Sequence, residues 1–221
     1  MKVIISPDSF KGTMSSVEAA ATIEKAIKQI SETIETVCLP VADGGEGTLD
    51  ALVAATNGRF VETTVCNPIG REIRARYGVL GDEKTCVIEM AEASGITLLS
   101  KEERNPMKAT TFGTGQLIDH ALCQGYRHFI IGIGGSATND AGLGMLHALG
   151  VKFLDKALQP LPIEVCSLEK LHTIDTSEVN ELISQSHFTI ACDVDNPLVG
   201  ERGATAIFGP QKGVMPEQIK Q

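Results

Sequence analysis

Apolar positions recur along this chain in two alternating rhythms. Val3, Ile4 and Ile5 form a short unbroken run, which reads as a buried strand. A loop rich in Ser, Pro, Asp and Gly follows over 6–13. Ser15 and Glu18 match a capping box. Ala20, Ile23, Ile27 and Ile30 then recur at helical steps, which predicts a helix with one apolar face. The unit repeats. A strand is expected over 37–41, broken near its end by Pro40. The loop Asp43-Gly44-Gly45-Glu46-Gly47 leads into a helix capped by Thr48, with Leu49, Leu52, Val53 and Thr56 on one face and Asn57-Gly58 at its end.

The rhythm then changes. Residues 61–65 alternate, Asn67-Pro68-Ile69-Gly70 is a turn, and 73–79 alternate again: a hairpin, followed by a strand over 85–90. Beyond it the strand–helix rhythm returns. A helix is predicted over 114–123, a buried strand over 128–133, a short helix over 143–149 ended by Gly150, and a last strand over 188–192. Residues 155–186 are weakly patterned and read as loop with helical turns. Strands alternating with helices predict an α/β protein with a largely parallel sheet, interrupted by an antiparallel excursion.

Composition narrows the function classes. The 221 residues allow one ordinary domain or two small lobes. The formal charge of −9 repels a phosphate backbone, and a chain without Trp and with 4% aromatics lacks stacking faces, so nucleic-acid binding is not expected. No apolar run approaches the ~18 residues of a membrane span, and the N-terminal run is too short for a signal-peptide core. The six cysteines show no metal-ligand spacing and read as reduced, mostly buried thiols of a cytoplasmic protein.

The informative feature is where the acids fall. Asp8, Asp43, Asn139-Asp140 and Asp193 each follow a predicted strand within a few residues. In a parallel sheet such positions gather at the carboxyl edge, where open α/β sheets bind ligands. Three of these loops are rich in Gly, Ser or Thr and precede helices, so their free N–H groups suit phosphate. Carboxylates beside phosphate donors suggest Mg2+ and phosphoryl transfer. Each element also has a plainer reading: Asp8 and Asp43 as turn residues, Lys11 and Arg71 as solvated charges, Thr110 to Gly115 as a helix entry. The five histidines show no ligand spacing. Gly132 to Ala137 formally matches a dinucleotide fingerprint, but Thr138 to Gly142 reads as continuing loop rather than helix. No P-loop motif is present.

Longer strings carry a family resemblance. Ser6-Pro7-Asp8-Ser9-Phe10-Lys11-Gly12, Ala42 to Thr48 (ADGGEGT), Glu89-Met90-Ala91, Thr110 to Gly115 (TTFGTG), Gly134 to Gly142 (GGSATNDAG), Ala191 to Val194 with Asn196-Pro197-Leu198, and Phe208 to Gly213 (FGPQKG) occur in one order. Together they resemble the bacterial glycerate kinase family of the class I type. The resemblance implies ATP- and Mg2+-dependent phosphorylation of D-glycerate, with the 2-phosphate favoured. It also implies two α/β lobes with the site between them. One would hold a mostly parallel sheet of the Rossmann or flavodoxin kind flanked by helices, the other a smaller mixed lobe containing the hairpin. The expected division is 1–60, a first α/β segment; 61–98, the hairpin excursion; and 99–221, an α/β lobe with the glycine-rich loop.

On this reading Lys11 is a cation for phosphate or the glycerate carboxylate. Asp43 and Asp193 are metal ligand or proton-accepting base. Gly44, Gly45, Gly134 and Gly135 serve the nucleotide. Asp8, Ser9, Ser136, Thr138, Asn139 and Asp140 hold or orient substrate or metal, and Arg71 clamps a carboxylate. Family members continue past the FGPQKG segment into further glycine-rich motifs that do not occur here, so a C-terminal part of the family fold is expected to be absent, and exposed apolar faces leave room for homo-oligomers. Two rival readings are a non-catalytic fragment with residual ligand affinity and a dinucleotide-dependent oxidoreductase using 132–137.

Overall fold

The computed structural model describes residues 1–10 and 13–219. Lys11, expected at the site, lies outside the described residues. The elements in chain order are β1 (Lys2–Ile5), α1 (Ser16–Ile30), β2 (Glu35–Cys38), α2 (Thr48–Thr56), β3 (Arg59–Cys66), β4 (Glu72–Val79), β5 (Thr85–Glu89), α3 (Ala91–Ser94), α4 (Phe112–Cys123), β6 (His128–Gly132), α5 (Leu143–Ala148), β7 (Lys152–Leu154), β8 (Thr173–Asp175), β9 (His187–Ala191) and α6 (Ala204–Lys212). No helix among the described residues is long and apolar enough to cross a membrane.

The expected α/β architecture is present. Strands β1 and β2 pair in parallel, joined by α1 as a crossover. The central sheet has the order β3-β4-β5-β6-β9. Its β3–β4 hairpin is antiparallel and joins β5 antiparallel, whereas β5, β6 and β9 run parallel. The hairpin thus extends the same sheet that carries the parallel strands. Strand β5 shows why this sheet is covered on both faces. Cys86 and Ile88 pack with Leu117, Ile118 and Leu122 of α4, while Val87 packs against Leu49 and Val53 of α2. Alternate side chains of a strand point to opposite faces, so a continuous apolar run needs a helix on each.

Local signals account for most boundaries. The Ser15–Glu18 capping box forms as expected: the Glu18 N–H donates to Ser15 Oγ at 3.1 Å and the Ser15 N–H to Glu18 Oε2 at 2.9 Å. Asn57 ends α2 in the left-handed region at φ 53°. Strand β2 stops at Cys38, before Leu39-Pro40.

Three expectations are corrected, those for Thr48, for residues 155–186 and for the cysteines. Thr48 does not cap α2; it is the first helical residue, its hydroxyl donates to Gly45 O at 2.8 Å, and Gly47 precedes it at φ 93°. Residues 155–186 include β8, which pairs antiparallel with β7 in a register of only three residues, below the length at which alternation is readable. Helix α6 forms across Gly209-Pro210; the proline sits in the last turn, and Gly213 closes the helix at φ 97°. All six cysteines are free, but only Cys86 is fully buried, and Cys123, Cys166 and Cys192 are exposed.

Candidate active site

The carboxyl ends of three parallel strands lie in register: Glu89 opposite Gly132, and Gly132 opposite Ala191. The loop after β2 crosses this edge at close range. Gly134 N–H donates to Gly44 O at 3.2 Å. A Cβ added to Gly44 would stand 2.6 Å from Ala191 O, and one on Gly134 would stand 2.5 Å from the Gly45 Cα. Gly44 also has φ +90°, where side chains are strained. The glycines therefore let two loops from distant parts of the chain pass backbone against backbone.

A cleft of about 580 Å³ opens beside this crossing. Ser9, Asp43, Gly45, Gly134, Gly135 and Asp193 line it, together with Glu89, Glu92, Asp50 and Arg76. Asp43 Oδ1 accepts the Gly45 N–H at 2.9 Å, which shapes the turn into α2. Glu89, at the end of β5, is 5% exposed. Its carboxylate accepts the N–H groups of Gly47 (3.2 Å) and Leu49 (3.2 Å), the first free donors of α2. Burial pushes the Glu89 carboxyl up to about 7, against the opposing pull of those N–H donors; Glu92 and Asp50 add to the rise. Arg76 bridges Asp50 (2.9 Å) and Glu92 (3.0 Å) and stacks over the Phe60 ring at 4.5 Å.

The model of the glycerate kinase family matches residues 3–221. The chain belongs to the glycerate kinase family. It is 48% identical to the glycerate kinase of Haemophilus influenzae, over 100% of this chain and 58% of that protein. It is 47% identical to the glycerate 2-kinase of Escherichia coli, over 99% of this chain and 58% of that one. A crystal structure ascribed to glycerate kinase 2 of Salmonella typhimurium LT2 superposes with a TM-score of 0.92 at 47% identity, covering 100% of this chain and 60% of the other. The chain thus spans somewhat under three-fifths of the length of the curated relatives named here.

Within this family member the residues singled out from sequence fall into three places. Ser9, Asp43, Gly45, Gly134, Gly135 and Asp193 meet at the cleft, with Gly44 at the backbone crossing beside it. Asp8 is exposed and accepts the Ser9 N–H at 2.6 Å. The second place lies behind the glycine-rich loop. Ser136 Oγ and Thr138 O accept from Lys212 Nζ, and Asn139 Nδ2 donates to Thr205 Oγ1 at 3.0 Å. Asp140 is 3% exposed. Its oxygens accept from Thr111 N–H and O–H, Gly142 N–H and Gly144 N–H, which ties the starts of α4 and α5 together. The third place is the hairpin turn: Arg71, 65% exposed, pairs with Glu103 at 2.7 Å and does not line the cleft.

The strand β6 and helix α5 are separated by residues 133–142, so the fingerprint-like glycines do not run into a helix as dinucleotide binding requires. Glu89, Arg76 and Lys212 were not singled out from sequence. Glu89 stands at the end of the strand predicted over 85–90 and in the Glu89-Met90-Ala91 string, so its position at the sheet edge was the available signal. Arg76 carries no local signal, and Lys212 stands in the FGPQKG string without a role that spacing could assign, since the partners of both lie far along the chain.

Proposed function

We propose that this chain carries the phosphoryl-transfer cleft of an ATP-dependent glycerate kinase, which moves the γ-phosphoryl group to a hydroxyl of D-glycerate, with the 2-phosphate as product. The observation that carries the reading is the convergence of Asp43, Asp193 and the Gly45 and Gly134 backbones on one cleft at the carboxyl edge of the sheet, in a chain of this family. The relative named glycerate 2-kinase supports the regiochemistry.

Phosphoryl transfer asks for positioning and charge stabilisation rather than covalent chemistry from the protein. The substrate hydroxyl oxygen bonds to the γ-phosphorus, the bond from that phosphorus to the ADP oxygen breaks, and the hydroxyl proton passes to a carboxylate. Asp43 and Asp193 are the candidates for that base, and Lys11 for a cation toward phosphate or carboxylate. The glycine backbones admit the ligand closely because no Cβ stands in the way.

Mg2+ is usually held by one or two carboxylates, with phosphate oxygens and water completing its shell. Asp43 and Asp193, on separate loops of one cleft, fit that donor set. No group of three His, Cys, Asp or Glu among the described residues forms a self-sufficient metal cage. Bound there, the ion would neutralise charge on the β- and γ-phosphate oxygens. The reading includes a cytoplasmic setting, supported by six free cysteines.

The test is incubation of this chain with ATP, Mg2+ and D-glycerate, with the phosphorylated acid identified by 31P NMR. Product formed by the parent and lost in Asp43→Asn supports the reading. Absence of product from this chain and also from a family-length version containing it removes the reading. Product from the longer version alone makes this stretch a ligand-binding part of the enzyme.

A further inference from the structure

Lys212 ends α6, yet its ammonium turns away from its own helix and reaches the glycine-rich loop. Nζ donates to Ser136 Oγ at 2.8 Å and to Thr138 O at 2.7 Å. Both acceptors are neutral, and an ammonium has three N–H donors. Among the described residues no carboxylate stands within 4.0 Å of it. Asp140, whose charge acts on Lys212, already accepts four hydrogen bonds from Thr111, Gly142 and Gly144. Among the described residues the cation is therefore held without a counter-ion. Burial keeps it below the usual lysine range, with Asp140 pulling only partly the other way. A half-buried charge of this kind gains from an anionic partner.

The surroundings are held ready. Ile96 N–H donates to Gly135 O and Ala137 N–H to Ser94 O, which pins the loop on both sides of Ser136. The Ser136 oxygen is an acceptor to Lys212, so its own O–H remains as a donor. The preceding residues, Gly134 and Gly135, line the cleft. A lysine beside serine and glycine backbone is a combination suited to phosphate, since the ammonium acts as a point charge.

We propose that Lys212 and the Ser136 hydroxyl form a subsite for a phosphoryl oxyanion just behind the Gly134–Gly135 segment that lines the cleft. The inference rests on the kinase reading for the source of that phosphate, either the nucleotide or the phosphorylated acid. It does not rest on it for binding itself. Lys212 thereby links α6 to ligand occupancy: the contacts that staple the helix to the loop are the ones that aim the charge.

The test measures binding, with no need for turnover. Inorganic phosphate, ADP and a phosphoglycerate are each titrated by calorimetry into the parent, Lys212→Met, Lys212→Arg and Ser136→Ala, with circular dichroism melts as the folding check. Hydrogen bonds to a charged partner predict a loss of about 10- to 100-fold in Lys212→Met for inorganic phosphate, with Lys212→Arg retaining most of the affinity. Ser136→Ala, which leaves the Thr138 contact in place, is expected to lose about 3- to 10-fold. A loss confined to ADP assigns the subsite to the nucleotide; a loss confined to the phosphoglycerate assigns it to the phosphorylated acid. Should Lys212→Met fail to fold, Ser136→Ala carries the test. Parental affinity for all three probes in a folded variant, or no saturable binding by the parent, overturns the proposal. Phosphate binding that depends on Lys212, with no glycerate phosphorylation by this chain or by a family-length version containing it, would leave the subsite standing and remove the kinase reading.

Discussion

Glu89 Oε2 accepts the Leu49 N–H at 3.2 Å across a separation of 40 residues. A carboxyl at the end of a central strand thus performs the helix-capping role that Thr48 is spaced to perform locally. It also faces the cleft, so the start of α2 and the cleft wall are one unit.

This relationship has a pH signature. The folded state raises the Glu89 carboxyl from 4.5 to about 7. Between those values the folded chain holds a proton that the unfolded chain has lost, so the Glu89 contribution to stability falls as pH rises through this window and is flat above it. Glu89→Gln removes the slope. Urea melts at pH 5 and pH 8 should show the difference between variant and parent moving in favour of the variant by a few kcal/mol. A difference independent of pH would show that Glu89 does not titrate in this window.

The two cleft aspartates should separate activity from stability. Asp193 is exposed, and Asp193→Asn should change stability by no more than about 0.5 kcal/mol. If it serves as base, kcat/KM with D-glycerate falls by about 100-fold or more. Near-parental turnover in both Asp193→Asn and Asp43→Asn would mean the cleft is not where transfer occurs.

Asp140 should behave in the opposite way. Asp140→Ala strips the acceptor from four donors at the starts of α4 and α5, three of the bonds buried and that of Gly142 part-buried. Each stranded donor costs about 1–3 kcal/mol, so the variant should lose several kcal/mol and melt broadly or not fold. An Asp140→Ala chain with parental stability and no affinity for ligands would instead place Asp140 among the ligand-binding groups.

The backbone crossing predicts that methyl groups are excluded there. Gly134→Ala puts a Cβ 2.5 Å from the Gly45 Cα, which forces the two loops apart. The expected cost is about 1–3 kcal/mol, with a larger proportional loss of ligand affinity than of stability. Gly47→Ala is the control, because its Cβ meets nothing within 4 Å and only the backbone strain at φ +93° remains. Equal effects of the two substitutions on ligand binding would argue against the close approach.

Much of this architecture was written in short-range signals. The capping box at Ser15–Glu18, the end of α2 at Asn57, the hairpin around Asn67 to Arg71 and the buried run of β5 each depend on residues a few positions apart, where the backbone's own donors and the apolar period decide the outcome. The clustering of acids after strands was equally readable, because a parallel sheet brings such positions to one edge whatever the details. What the chain folds around could not be read this way. Glu89 at the head of α2, Lys212 against Ser136 and Asp140 between α4 and α5 join residues tens of positions apart. Arg71, equally prominent in sequence, ends paired with Glu103 away from the cleft. Charge and spacing mark a residue as able to bind; only the packed chain determines which donors lose water, and hence which acids stay at the cleft and which become part of the frame.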